Sequence, residues 1–512
     1  MSQYDTIVIG AGHNGLVCAA YLARAGQNVL VLEAAEAPGG LAQYREFHPG
    51  YTASIAHSIS HFSSSVQADL GLADHGFALQ AIDTVGLRNS GEHVAVRADG
   101  LSGGNDADAA AYASYASLMQ RFAAALAPFW EKTMPRIGSS KAADLLTFAH
   151  MGLKLRGLGK DDMREFMRIA SLPMRDLADE FFEDDLVKAV LCWDGLIGSK
   201  MAPRSPNGAV LALLYRLSGA SGGGHAVPVG GMGKLADALL AATEAAGATV
   251  RLGAAVERID VGHAETGPLA HGVTLTDGTT IEAGNVISSA DPRRTFIDLL
   301  GVEHLDIGFT NRIRRLRCDG FVGKLHLALS DAPEFDGLGQ PEGRMIIAPE
   351  MDAIEFAFDD AKYGGLPEHP VMEIVVPSVH DPALAPAGQH VLSAHVMYVP
   401  YALKGGWNDA ARSTMLERSV ETIAAYAPGI REEIVFAEFL SPADIEREYG
   451  VTGGHWHHAE FVMDQMLMMR PTFGAAQYAT PVAGLYLCGA SCHPAGDLVG
   501  AAGRNAAKEV LR

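Results

Sequence analysis

Apolar residues fall into two periods along this chain. Residues 6–10, TIVIG, form a short β-branched run, read as a parallel strand buried on both faces. LVCAAYLARAG then repeats apolar positions at helical spacing and stops at Gly26, and NVLVLE returns to a strand closing on Glu33. A β-α-β unit is therefore predicted at the start. Farther on, ASYASLMQRFAAALAPFWEKTM is the clearest amphipathic helix, with Asp106 and Asp108 in the first turn of the helical stretch that contains it. SGASGGGH, residues 218–225, reads as a flexible connection. ATVRLGAAVERI reads as two short strands, and GKLHLAL, VMEIVVPSV and HVLSAHVMYVP alternate as strands do. No repeat of solenoid period appears.

The junction of the first strand and helix changes the picture. Gly10, Gly12 and Gly15 make G-x-G-x-x-G. In this setting the first glycine permits a tight turn, the second lets backbone approach a pyrophosphate, and the third lets helix pack on strand. The helix N-terminus presents free N–H groups to phosphate. Glu33 lies 23 residues after Gly10, where an acid accepts ribose hydroxyls. A carboxylate there repels a 2′-phosphate, which argues against NADP and leaves FAD and NAD.

Composition narrows the partners. The chain has 512 residues, enough for two or three domains, and a net charge of −21, which opposes nucleic-acid binding. Five widely spaced cysteines form no disulfide framework, so a reducing cytoplasm is expected, with peripheral membrane contact left open. No apolar run approaches membrane-span length. No G-x-S-x-G or P-loop is present.

The Gly39-Gly40 doublet follows Glu33, and two distant blocks accompany it: VPVGGMGKL from Val227, and GLYLCGASCHPAGDLVGAAGRNAAKEVL at the C-terminal end. In this order they resemble the phytoene desaturase-like flavoproteins with two dinucleotide-binding domains. TGGHWHHAEFVMDQMLMMRP, residues 452–471, is similar to the branch known as pyridine nucleotide-disulfide oxidoreductase domain proteins. The resemblance implies an α/β fold, a Rossmann-type FAD-binding domain with an inserted α+β substrate domain. FAD-binding parts are expected at residues 1–105, 218–290 and 471–512, a helical substrate region at 106–217, and a substrate-binding α+β part at 291–470. It implies FAD as cofactor, bound by Gly10, Ala11, Gly12, Asn14, Gly15, Glu33, Ala34, Gly39, Gly40, Leu41, Val256, Gly489, Asp497, Leu498, Val499 and Gly500. Asp497 departs from the family's P-G-G-G turn, here Pro494-Ala495-Gly496-Asp497. A carboxylate near flavin N1 would disfavour the reduced anion.

The implied reaction is hydride transfer from a C–H bond of a small hydrophobic substrate to flavin N5, giving a new double bond. Oxygen, a quinone or another carrier would take the electrons onward. An amine oxidase and a flavin-binding protein without turnover are the alternatives; an aromatic cage would mark the amine oxidase. His57 and His458 are the candidate proton acceptors, with His61 near the first and Glu460 near the second. The HWHH cluster, His455, His457 and His458, matches the family pattern rather than a metal set, and no metal is expected. A thioether from Cys492 to the flavin would require its thiol to reach the ring's methyl edge. Met463, Met466, Met468 and Met469 suit either a pliable pocket or packing, and Arg470 and Arg504 either a bound anion or structural pairing.

Overall fold

In the computed structural model, residues 3–97, 99–206, 208–219, 224–265 and 267–512 are described. Strand Tyr4–Ile9 lies inside a seven-stranded sheet, flanked by Val29–Leu32 and Thr280–Ser288. Both pair with it in parallel, Ile9 opposite Leu32 and Ser288. Thr249–Arg251 extends the sheet beyond Val29–Leu32, and Leu485–Leu487 pairs in parallel with Thr280–Ser288. Val256–Ala264 and Gly267–Leu275 add an antiparallel meander. The strands are short and wholly apolar at the centre because helices must cover them. Helices His13–Arg24, Gly233–Ala245 and Ala501–Val510 pack together there, and Leu16, Val17, Leu239 and Ala506 close the core over Val8, Val31 and Ile287.

A second sheet has eight strands in the order Ile434–Leu440, Val322–Leu329, His390–Met397, Met372–Val375, Arg344–Ile347, Thr84–Gly86, Val94–Arg97 and Gly100–Ser102. All its pairings are antiparallel except Arg344–Ile347 with Thr84–Gly86. The last three strands differ from the sequence reading, which keeps residues 84–102 with the nucleotide domain. They cross to the second sheet because Val85 and Val94 bury against it.

Alternation sorts this sheet into two unlike faces. Leu325, Leu327, Met345, Ile374, Leu392 and Ala394 point into one core, closed by helix Asp409–Ala424. The other face carries Lys324, His326, Arg344, Glu373, Ser393 and His395, all buried. Helices Asp106–Trp130, Asp185–Leu196 and Ala209–Leu217 pack beside it around Trp193. Asp106 and Asp108 occupy the expected first turn, with Asn105 accepting from the Asp108 N–H at 2.7 Å. The predicted connection 218–225 falls partly on residues 220–223, outside the described residues, and His225 begins strand His225–Pro228. No described helix is long and apolar enough to cross a membrane.

Candidate active site

The parallel strands of the first sheet end together, and the residues that follow them, Gly10, Glu33, Ser289 and Gly489, line one cavity. This is where open parallel sheets bind nucleotides. The cavity holds about 1670 Å³ of empty space, open mouth included, and reaches the polar face of the second sheet at His57, Arg344, Glu373 and His395.

The nucleotide end is built mostly from main chain. Gly10 has φ +92, a turn that other residues resist, and a Cβ on Gly15 would lie 2.1 Å from the Gly10 carbonyl oxygen. Gly12 differs, for a Cβ there would meet nothing within 4 Å. Its backbone lies bare against the cavity, as close approach to a pyrophosphate requires. Gly39, at φ +118, donates its N–H to the Ala11 carbonyl at 2.9 Å and so ties the doublet to the glycine turn. The Glu33 carboxylate accepts from the Ala11 N–H at 2.6 Å and the Ala35 N–H at 2.9 Å, which holds it at the cavity wall.

Of the other expected contacts, Asn14, Ala34, Gly40, Leu41, Val256, Asp497 and Leu498 line the cavity. Ala11, Gly15, Val499 and Gly500 do not; Ala11 and Gly15 shape the turn, Val499 packs in the helical core, and Gly500 starts the last helix at φ +78. The His13 Nε2 and His458 Nδ1 atoms are buried without a hydrogen-bond partner among the described residues, and both rings line the same cavity. Burial lowers the His13 pKa to about 3 and lowers that of His458. Bare glycine backbone, a held acid and two unpaired ring nitrogens fit a dinucleotide such as FAD.

Asp497, the departure in the C-terminal turn, is locked rather than free. Arg216 Nε donates to it at 3.0 Å, and His457 Nε2 lies 3.0 Å from its other oxygen. Burial alone would raise its pKa, but Arg216 and then His457 outweigh it and hold the carboxyl well below the usual range. Its charge is thus matched inside the protein.

The opposite end is built from side chains. Lys324, His395 and Glu373 are direct cross-strand neighbours on three adjacent strands. His57 drops onto this row, stacked on His395 with ring centroids 3.8 Å apart. Its Nε2 lies 2.7 Å from Glu373 Oε1 and its Nδ1 3.0 Å from Lys324 Nζ. Glu373 also accepts from Trp193 Nε1 at 2.7 Å and Arg344 Nη1 at 3.0 Å, while Arg344 reaches Asp194 at 2.7 Å. Burial opposes ionisation of Glu373, yet Arg344 foremost, with the N–H of His57, keeps it well below the carboxylate range. Burial holds Lys324 well below the lysine range and holds His57 well below the imidazole range, so the His57 ring is neutral.

Partners then assign the tautomers. His57 donates from Nε2 to Glu373 and accepts at Nδ1 from Lys324. His395 donates from Nε2 to the Ile55 carbonyl at 2.8 Å. Its Nδ1 therefore keeps a lone pair, unpartnered among the described residues and 3.8 Å from Glu373 Oε1. His57, Glu373 and His395 also have the spacing of a metal-ligand set, but both His57 nitrogens are engaged and Arg344 bonds the carboxylate.

Several expected residues lie elsewhere. His61 packs edge-on against Tyr215, outside the cavity lining. Glu460 pairs with Arg317 at 2.7 Å and does not line the cavity. Cys492 is in the core, where burial raises its thiol pKa, so it is not aimed at the cavity. Met463 and Met469 are exposed, Met466 is core, and none of the four methionines reaches the cavity. Arg470 binds no anion: its guanidinium donates to backbone carbonyls, among them His457 at 2.7 Å and Gln465 and Ala490 at 3.0 Å. Arg504 pairs at the surface with Asp69 and Glu131.

Comparison with known proteins extends the geometry. A mouse protein, pyridine nucleotide-disulfide oxidoreductase domain-containing protein 2, is 33% identical across 100% of this chain and 94% of its own length. A limonene dehydrogenase subunit from Castellaniella defragrans is 26% identical over 100% and 95%. The solved cyclohexylamine oxidase of Brevibacterium oxydans shares the fold at a TM-score of 0.60, with 15% identity over 99% of this chain and 98% of that one. The family model for flavin-containing amine oxidoreductases matches residues 15–511. The chain belongs to that flavin-containing amine oxidoreductase family and is an FAD-dependent oxidoreductase.

Proposed function

We propose that the protein dehydrogenates an apolar, hydrocarbon-like substrate, forming a carbon–carbon double bond. FAD, when bound, supplies the two-electron acceptor that takes hydride from a substrate C–H bond. This chain's own task is the second hydrogen, which leaves the neighbouring carbon as a proton. The observation that carries the reading is the free lone pair at His395 Nδ1, on a ring that lines the cavity, 3.8 Å from ionised Glu373. A proton gained there creates a donor facing a carboxylate, so Glu373 stabilises the product form. Burial lowers the His395 pKa to about 4, which keeps the ring unprotonated at neutral pH. So weak a base suffices, because a C–H bond beside a carbon losing hydride is strongly acidic. Lys324 and His57 hold Glu373 and exclude water from it.

The full-length likeness to the limonene dehydrogenase chain supports an apolar substrate. The cavity supports it too. Its aromatic lining is Tyr449 and Trp456, which do not contact each other as a cage would among the described residues.

The test mixes the FAD-loaded protein anaerobically with terpene and polyene hydrocarbons and, separately, with alkyl amines. Loss of visible flavin absorbance reports turnover. Hydrocarbons should bleach it, and His395→Gln should slow bleaching about a hundredfold or more with FAD retained. Bleaching by amines alone, or an unchanged rate in the variant, overturns the proposal.

A further inference from the structure

Residues 132–160 break the charge pattern of the chain. They hold six basic residues, Lys132, Arg136, Lys141, Lys154, Arg156 and Lys160, against one acid, Asp144, in a protein of net charge −21. All six are exposed, and none forms an ion pair among the described residues. Asp144 is buried and accepts from Gln477 at 3.3 Å, so it does not neutralise the surface.

Helix Ala142–Gly157, within this segment, is apolar on both sides. Phe148, Met151 and Leu155 lie half-buried on its inner side. Leu145, Leu146, Ala149 and Leu153 recur at helical spacing on the other, and the leucines are 54%, 69% and 66% exposed. The apolar surface continues through Ile137 to Met469 and Phe473, which border one shallow cleft. An exposed apolar face of this extent marks a binding surface.

We infer that this face docks on an anionic lipid surface, with helix Ala142–Gly157 lying in the plane of the interface. An apolar stripe bordered by unpaired cations is the pattern such helices use, the leucines entering the acyl boundary and the cations meeting headgroups. Charge decides against a second copy of the chain, since a two-fold contact would oppose two clusters of uncompensated cations. The same charge lets an otherwise acidic protein approach an acidic membrane in one orientation only.

The test is sedimentation of the FAD-loaded full chain with vesicles of phosphatidylcholine alone or mixed with phosphatidylglycerol. The protein should pellet with the mixed vesicles, less as salt rises, and much less with phosphatidylcholine alone. Combining Leu145→Glu, Leu146→Glu and Leu153→Glu should weaken partition about tenfold or more, and Lys154→Gln with Arg156→Gln should flatten the salt dependence. These side chains are exposed, so flavin spectrum and melting temperature should match the parent and show that the variants fold. Equal binding to both vesicles, or full binding by the leucine variant, overturns the inference. So does a mass doubling in lipid-free solution that the leucine variant abolishes, which assigns the face to a second copy.

Discussion

The two ends of the cavity are made from opposite materials. At the nucleotide end the wall is backbone: glycine turns, helix N-termini and one acid held by two N–H groups. At the second sheet the wall is a closed network of buried ionisable side chains in which one carboxylate serves three donors. A backbone wall suits a ligand that stays, since main-chain donors need no ordering. A side-chain network suits chemistry, since its members can exchange protons while their net charge stays matched. The first end tolerates change in whatever is not glycine; the second tolerates almost none, because each member satisfies another.

The sharpest way to break this contrast is to remove the carboxylate at its centre. Glu373→Gln keeps the shape but removes one of the two carboxylates on Arg344, Asp194 remaining, and weakens the acceptor for His57 and Trp193, and should cost about 2–3 kcal/mol of stability. Chemical denaturation of the FAD-free protein measures it; a loss within experimental error would mean that the network is ornamental. Gly12→Val should act in the reverse sense. A side chain there meets open cavity, so the FAD-free protein should melt as the parent does while FAD affinity falls about a hundredfold, measured by flavin fluorescence quenching.

Acid gives a smaller, graded effect. The buried neutral rings of His13, His61, His395 and His493 have folded pKa values lowered from 6.5 to between about 3 and 4. A depressed folded value means that the unfolded chain binds the extra protons. Stability from these groups is therefore complete above about pH 6.5 and declines as pH falls toward 4, by roughly 1.4 kcal/mol per pH unit for each ring. Denaturation midpoints measured across that window should drop steadily. A midpoint unchanged from pH 7 to 5 would place these rings in contact with water.

The same contrast explains what could be read from the sequence. The nucleotide end is local: Gly10, Gly12, Gly15 and Glu33 stand within one β-α-β unit, and spacing alone reveals their use. The reaction end is assembled from five separate segments that supply His57, Trp193, Lys324, Glu373 and His395. Each strand residue among them alternates with apolar neighbours, as in GKLHLAL and HVLSAHVM, and alternation reads as a wet outer face. Here that face is dry, because helices of residues 106–217 lie beside it. Two polar residues in register across neighbouring strands were the available signal, and register is set by turns far from either. His57 is visible as a candidate, but its partners are not, and they make it a holder of Glu373 while His395 keeps the free lone pair. Glu460 and the methionines mislead for a related reason: similarity to a family motif locates a segment, whereas the direction of each side chain depends on Arg317 and the core around it.

Strand Thr280–Ser288 joins the first strand of the chain to Leu485–Leu487 near its other end. This has a consequence for biosynthesis. The glycine turn at residues 10–15 and its neighbour Val29–Leu32 precede the other neighbour, Thr280–Ser288, by hundreds of residues, and Gly489 and Leu498 come later still. At about 5–20 residues per second, the unfinished cradle waits on the order of half a minute or more for its final wall. Until residue 288 is made the apolar strand Tyr4–Ile9 has no partner on one side, and from then until residue 487 strand Thr280–Ser288 lacks its own parallel neighbour. Capture of FAD is thus a late event in the life of each new molecule, because the cavity has no complete wall before Gly489 and Leu498 are made.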